Sequence, residues 1–347
     1  MMNRIIQSLI CAASLCANTA VAQTPEVRKP VMMSAPGAGG TAYVAFSNDG
    51  RFIATAPDGD GVFRLWDVKT LSVKKTLENV KNVLKYAIAF SPDSSLVVAG
   101  VGDEIYVWET STGSLVKKFL AHKNARILSL SFTPDGKSLV STGSDDDPSI
   151  RGRVWNTEDW SLKHNLWYDY GHVWVKTGAI SPDGRLVAIA GGSDSSADHP
   201  ALIYDILSGR KVREMPVFIK ANDKFQDGMI YDVCFAAGGK RVVAIAKSRI
   251  VGFDAASGAQ QYRIHKTFHI SYSHLRCTPD GTFVAALFKA GRDYCVHIID
   301  ALDGKIVRTF VASAGDKRYY YNLGFTHDGR LLALVGTKPT IDFYDWR

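Results

Sequence analysis

Asp232, His274 and Asn322 are the residues best placed for chemistry: an imidazole with two oxygen-bearing side chains. Each stands three positions ahead of a residue that opens a tight polar turn, namely Phe235, Cys277 and Phe325. If the chain brings those turns side by side, the trio could hold a divalent cation, since imidazole and oxygen donors suit several such ions. A second group points to recognition. Tyr86, Trp174, Lys176, Tyr231, Tyr272, Arg318, Tyr319, Tyr320 and Tyr321 lie just upstream of equivalent turns. Aromatic rings and arginine are enriched at the centres of protein interfaces. Other spacings read as ordinary structure. "SDDDPS" lacks the regular ligand spacing of a calcium loop. His265 and His269 are four apart but fall in strand and loop, not on a zinc-binding helix. No nucleophile or acid–base constellation stands out, no C-x-x-C-H attaches a haem, and no cofactor is expected.

The elements that must position these residues repeat along the chain. "AFSNDG" at 45–50 returns as "AFSPDS" at 89–94, "SFTPDG" at 131–136 and "AISPDG" at 179–184. "CFAAGG" at 234–239, "CTPDG" at 277–281 and "GFTHDG" at 324–329 complete seven copies, 42 to 55 residues apart. Each copy is followed by an apolar signature such as "RLWD", "YVWE", "RVWN" or "LIYD", and usually by one more turn and strand. Four short β-rich segments per unit, separated by Asp, Gly, Pro and Ser turns, predict a seven-bladed β-propeller of four-stranded antiparallel blades.

Aligned on the turn-opening residue, the innermost strands carry an apolar column two places upstream, from Val44 to Leu323. One place further back runs a polar or small column: Tyr43, Ala87, Ser129, Thr177, Asp232, His274 and Asn322. Strand alternation therefore sends the second column, the candidate trio included, toward the central channel. The aromatic positions reach the rim where each innermost strand begins. Long loops at 143–152 and 191–200 and the link at 216–228 emerge on the same face. The last unit stops at "FYDWR", so "EVRKPVMMS" at 26–34 is expected to finish the seventh blade and close the ring, within a closing segment 23–35.

The first 22 residues read as a signal peptide: Arg4, an apolar middle, and Ala20-Val21-Ala22 as the cleavage site. The mature domain would then be 23–347, periplasmic or secreted. The apolar stretch is shorter than the ~20 residues that span a bilayer, and no later segment could cross one. Cys11 and Cys16 leave with the leader, and the odd remainder, Cys234, Cys277 and Cys295, reads as buried thiols rather than a disulfide framework. The formal net charge of +7 is dispersed, which argues against nucleic acid as partner.

The paired "FSPDG" and "(L/V)WD" signatures resemble the WD40-repeat family over essentially the whole mature chain. Trp66, Trp108 and Trp155 keep the tryptophan, while later units carry Tyr204, Phe253, Ile299 and Tyr344. The family's Gly-His survives only as His122 and His172. The resemblance implies a buried polar network in the third blade alone, from His122, Ser141 or Thr142, an aspartate near Asp145, and Trp155. It also implies a monomeric, non-catalytic platform that binds another protein through its loop-rich face. The alternatives are an enzyme of the propeller lactonase or hydrolase kind, with a metal or small molecule in the channel, and an accessory subunit of a periplasmic redox enzyme.

Overall fold

A computed structural model describes residues 26–27, 31–34, 40–58, 62–70, 72–79, 86–124, 126–170, 174–192, 199–217, 229–246, 249–265, 270–313, 319–337 and 340–347. The expected leader at 1–22 lies outside the described residues, as do His172, 193–198 and 218–228.

Six of the seven repeats share the same hydrogen-bonded turn after the innermost strand. In blade one the Ser47 hydroxyl donates to Asp49 Oδ1 at 2.6 Å and accepts the Phe52 N–H at 2.8 Å. Asp49 Oδ1 also accepts the Arg51 N–H at 3.0 Å. Gly50 follows with φ +70°, a left-handed conformation that a glycine adopts without steric penalty. The arrangement recurs at Ser91/Asp93, Thr133/Asp135, Ser181/Asp183, Thr278/Asp280 and Thr326/Asp328. Blade five has no hydroxyl at this place and turns through a short 3-10 segment, Ala237–Gly239.

From such turns the strands fold back into blades. Blade one runs Gly40–Phe46, Phe52–Asp58, Val62–Asp67 and Ser72–Asn79, in that order from the axis outward. Six further antiparallel sheets repeat the order, so the fold is a seven-bladed β-propeller. Buried side chains gather between neighbouring blades. Phe63 and Leu65 of blade one meet Val97, Ala99 and Trp108 of blade two, and Ile53 and Trp66 meet Ala333 and Val335 of blade seven. That last cluster joins the two ends of the ring.

The N-terminal segment seals the ring, but not as one strand. Val31–Ser34 pairs antiparallel with Thr340–Asp345, Val31 opposite Phe343, and supplies the fourth strand of blade seven. Glu26–Val27 instead lies parallel to Ile306–Ser313, the outer strand of blade six. The expected single closing strand is thus a strap across two blades.

Candidate functional site

The innermost strands do not keep a simple alternation. In blades one, three, four, five, six and seven the ladder slips by one residue, at Ala42, Leu128, Lys176, Tyr231, Ser273 and Tyr321. Such a bulge bends the strand and reverses the phase of its side chains. Residues three apart across it, such as Ile127 and Leu130 or Ile230 and Val233, consequently both enter the core. Tyr320 follows the same rule. Expected on the rim, it is instead buried, its hydroxyl bonded to Asp342 and Tyr344.

Beside the bulges, the polar column forms a belt across four blades. Thr177 of blade four donates to Asp232 Oδ1 at 2.8 Å, and the same oxygen accepts the Val233 N–H at 3.0 Å. Asp232 Oδ2 accepts the Leu275 N–H at 3.2 Å and pairs with the Arg276 guanidinium of blade six. Arg276 Nη2 reaches Asn322 Oδ1 of blade seven at 3.3 Å, and that oxygen also accepts the Leu323 N–H at 2.8 Å. Asp232 and Asn322 are accordingly buried rather than lining an open tunnel. His274 Nδ1 lies 3.9 Å from Asp232 Oδ2, too far for a hydrogen bond. Burial holds the His274 pKa down to about 4, against the opposing pull of Asp232, so the ring is neutral at pH 7.

This geometry changes the reading of the trio. Both carboxylate oxygens of Asp232 are engaged, and a guanidinium stands between Asp232 and Asn322 where a cation would have to sit. The three residues are neighbours, as expected, with Asp232 and Asn322 joined through Arg276 in an inter-blade tie and His274 standing beside it. Arg276 is the member that sequence reasoning missed. Its column is otherwise Ala45, Ala89, Ser131, Ala179, Cys234 and Gly324, so a long cation there was the available signal. The cysteine expectation also changes. Cys234 and Cys277 form a disulfide between blades five and six, with Cα atoms 6.4 Å apart, inside the usual range. Their places on adjacent innermost strands were visible in the alignment. Cys295 remains a buried thiol.

The polar network of blade three is present. His122 Nε2 lies 2.8 Å from Ser141 Oγ, which accepts the Trp155 indole N–H at 2.9 Å. His122 Nδ1 faces Asp145 at 3.4 Å, and Arg153 pairs with the same carboxylate. Burial lowers the His122 pKa although Asp145 pulls the other way. With the imidazole and Ser141 both inaccessible, the group braces the blade.

The exposed chemistry sits on the rim. Trp174 is 57% exposed at the start of blade four. Next to it, the Lys176 ammonium stands 4.6 Å above the Tyr231 ring. On blades six and seven, Lys289 stands 5.4 Å from the ring centre of Tyr319 and 5.9 Å from that of Tyr294. Tyr319 is 49% exposed and meets Tyr294 edge-on at 6.2 Å. Lys289 and Tyr294 were not singled out from sequence, because they belong to the second and third strands rather than the first. Arg318 and the side chains of Tyr86, Tyr272 and Tyr321 lie outside the described residues.

A family profile described as "WD domain, G-beta repeat" matches residues 39–67 and 113–151. Protein tipD of Dictyostelium discoideum is 25% identical over 266 residues, covering 75% of this chain and 39% of that protein. WD repeat-containing protein slp1 of Schizosaccharomyces pombe is 26% identical over 156 residues, 44% of this chain and 31% of that protein. A WD repeat-containing protein WDS homolog of Arabidopsis thaliana is 29% identical over 148 residues, 41% of this chain and 27% of that protein. The matched stretches thus span well under half the length of these relatives.

Proposed function

We propose that this chain, similar to WD40-repeat proteins, is an exported, non-catalytic platform that binds another protein through the rim where the innermost strands begin. The observation that carries this reading is the pair of exposed aromatics on that rim, Trp174 and Tyr319, each near a lysine held against a tyrosine ring. Rings that present apolar area with few rotatable bonds lose little entropy on binding, and they dominate many interface energies. The scaffold beneath is rigid: the belt from Thr177 to Asn322 ties four blades together just below this surface.

Export is supported by two features. One is the leader pattern at 1–22; the other is the Cys234–Cys277 bond, since disulfides persist in oxidising compartments and are rare in the cytosol. The channel reading, an enzyme with a metal or small molecule at Asp232, His274 and Asn322, lacks comparable support because Arg276 already occupies the polar centre.

The test is affinity capture from the periplasmic or secreted fraction with residues 23–347 as bait. Wild type should retain a specific protein, the Trp174→Ala/Tyr319→Ala double variant should lose it, and Asp183→Asn, in a turn on the opposite face, should keep it. Equal capture by all three baits, or no specific capture, would overturn the reading.

A further inference from the structure

We propose that the partner of this face presents an acidic segment, which lies over the junction of blades six and seven with its carboxylates on Lys289 and Arg292 and its apolar part on Tyr319. The inference rests on the platform reading above and names the chemistry of the partner.

The warrant is the charge left available at that junction. Lys289 is the next-to-last residue of one strand, Phe283–Ala290, and Arg292 is exposed in the turn that leads to the next, Asp293–Asp300. The two cations therefore project from a single hairpin, beside the exposed Tyr319 ring. Among the described residues, no acid pairs with Lys289 or Arg292. Asp293 and Asp342 are buried, the latter accepting a hydrogen bond from Tyr320, and Asp232 is tied to Arg276 in the belt. A surface with unbalanced positive charge beside an amphipathic ring complements a carboxylate-bearing segment, and complementarity of this kind sets specificity and association rate. The tyrosines also orient Lys289. Held against Tyr294 and Tyr319, its ammonium has fewer conformations to lose when a carboxylate arrives. A protein is favoured over a polyanion because two cations on one hairpin engage two carboxylates, whereas a phosphate backbone needs a longer basic track.

The test uses fluorescein-labelled hexaglutamate, hexalysine and oligo-dT20 in anisotropy titrations against residues 23–347 at 20 and 150 mM NaCl. Hexaglutamate should bind wild type and hexalysine should not. Lys289→Glu/Arg292→Glu should weaken hexaglutamate at least tenfold while its melting temperature stays close to that of wild type. Lys289→Gln/Arg292→Gln, which removes charge without reversing it, should fall between. Equal binding by wild type and the charge-reversed protein would overturn the proposal. Tighter binding of oligo-dT20 than of hexaglutamate, lost in the same variant, would overturn it in favour of nucleic acid. The charge variants are also used as baits in the capture experiment. If Trp174→Ala/Tyr319→Ala loses the partner and Lys289→Gln/Arg292→Gln does not, the acidic segment is wrong and the platform stands. If both retain the partner, both readings fail.

Discussion

Ser141 accepts the indole N–H of Trp155 in blade three, and Thr55 does the same for Trp66 in blade one at 2.9 Å. Blade two lacks the acceptor: Trp108 Nε1 is buried without a hydrogen-bond partner, and Ala99 holds the corresponding place on the neighbouring strand. Ala99→Ser should therefore stabilise the protein by roughly 0.5–1.5 kcal/mol, the net worth of one hydrogen bond, and a thermal melt should move up by a few degrees at most. The buried histidines set a pH dependence. Burial holds the pKa of His297 down to about 3 and that of His274 down to about 4. The unfolded chain takes up protons near pH 6.5, which the folded chain refuses. Stability is therefore fully present above pH 6.5 and declines as pH falls toward those lower values, by up to about 1.4 kcal/mol per unit for the buried His297 ring and by less for the partly exposed His274. The turn aspartates, held below 3.8 by hydrogen bonds such as that from Ser181 to Asp183, contribute only at lower pH. Melting temperature should drop between pH 7 and 5, and less steeply in His297→Gln. The His122 network was legible in the sequence because the family motif names its parts. The missing acceptor for Trp108 was not, since it depends on which residues stand across the ladder.

At the scale of elements, the turns were the legible part. A hydroxyl, an aspartate two places on and a residue able to take positive φ define one hydrogen-bonding pattern, so six of the seven could be read directly. The bulge after Thr41, Ile127, Val175, Ile230, Tyr272 and Tyr320 carries no such residue signature. Strict alternation across it sent Tyr320 to the rim. A one-residue slip reverses every side chain beyond it, which is why the core was easier to predict than the rim. The disulfide also belongs to this scale, because it cross-links two innermost strands. It closes a loop with a sequence separation of 43, for which the chain-entropy account gives about 4 kcal/mol. Reductant should lower the melting temperature of wild type substantially and leave Cys234→Ser/Cys277→Ser, already lower, unchanged. Mass spectrometry should find Cys295 alone alkylated after denaturation without reductant.

For the molecule as a whole, the seam in blade seven decides stability. Without Val31–Ser34 the edge of Thr340–Asp345 is open, and an unpaired edge is a template for association with another chain. Removing 23–34 should lower the melting temperature by more than 10 °C, a loss of several kcal/mol for a chain of this size, and promote aggregation. Removing only 23–30 takes away the contact with blade six and should have a smaller effect. The ring closure was foreseeable from the incomplete last repeat, whereas the strap over blade six was not, because two residues of parallel pairing leave no pattern.

A seam that joins the two ends of a chain also sets a clock. Val31–Ser34 leaves the ribosome before Thr340–Asp345 and waits for it, since the seven innermost strands all lie between them in the chain. Pairings so distant form late and slowly, so the nascent chain has no finished seventh sheet to lock it until Thr340–Asp345 has been made. A polypeptide bound for a narrow translocation pore has to pass as an unfolded thread. On the proposed export route, the same strap that makes the finished ring durable would keep the unfinished chain threadable.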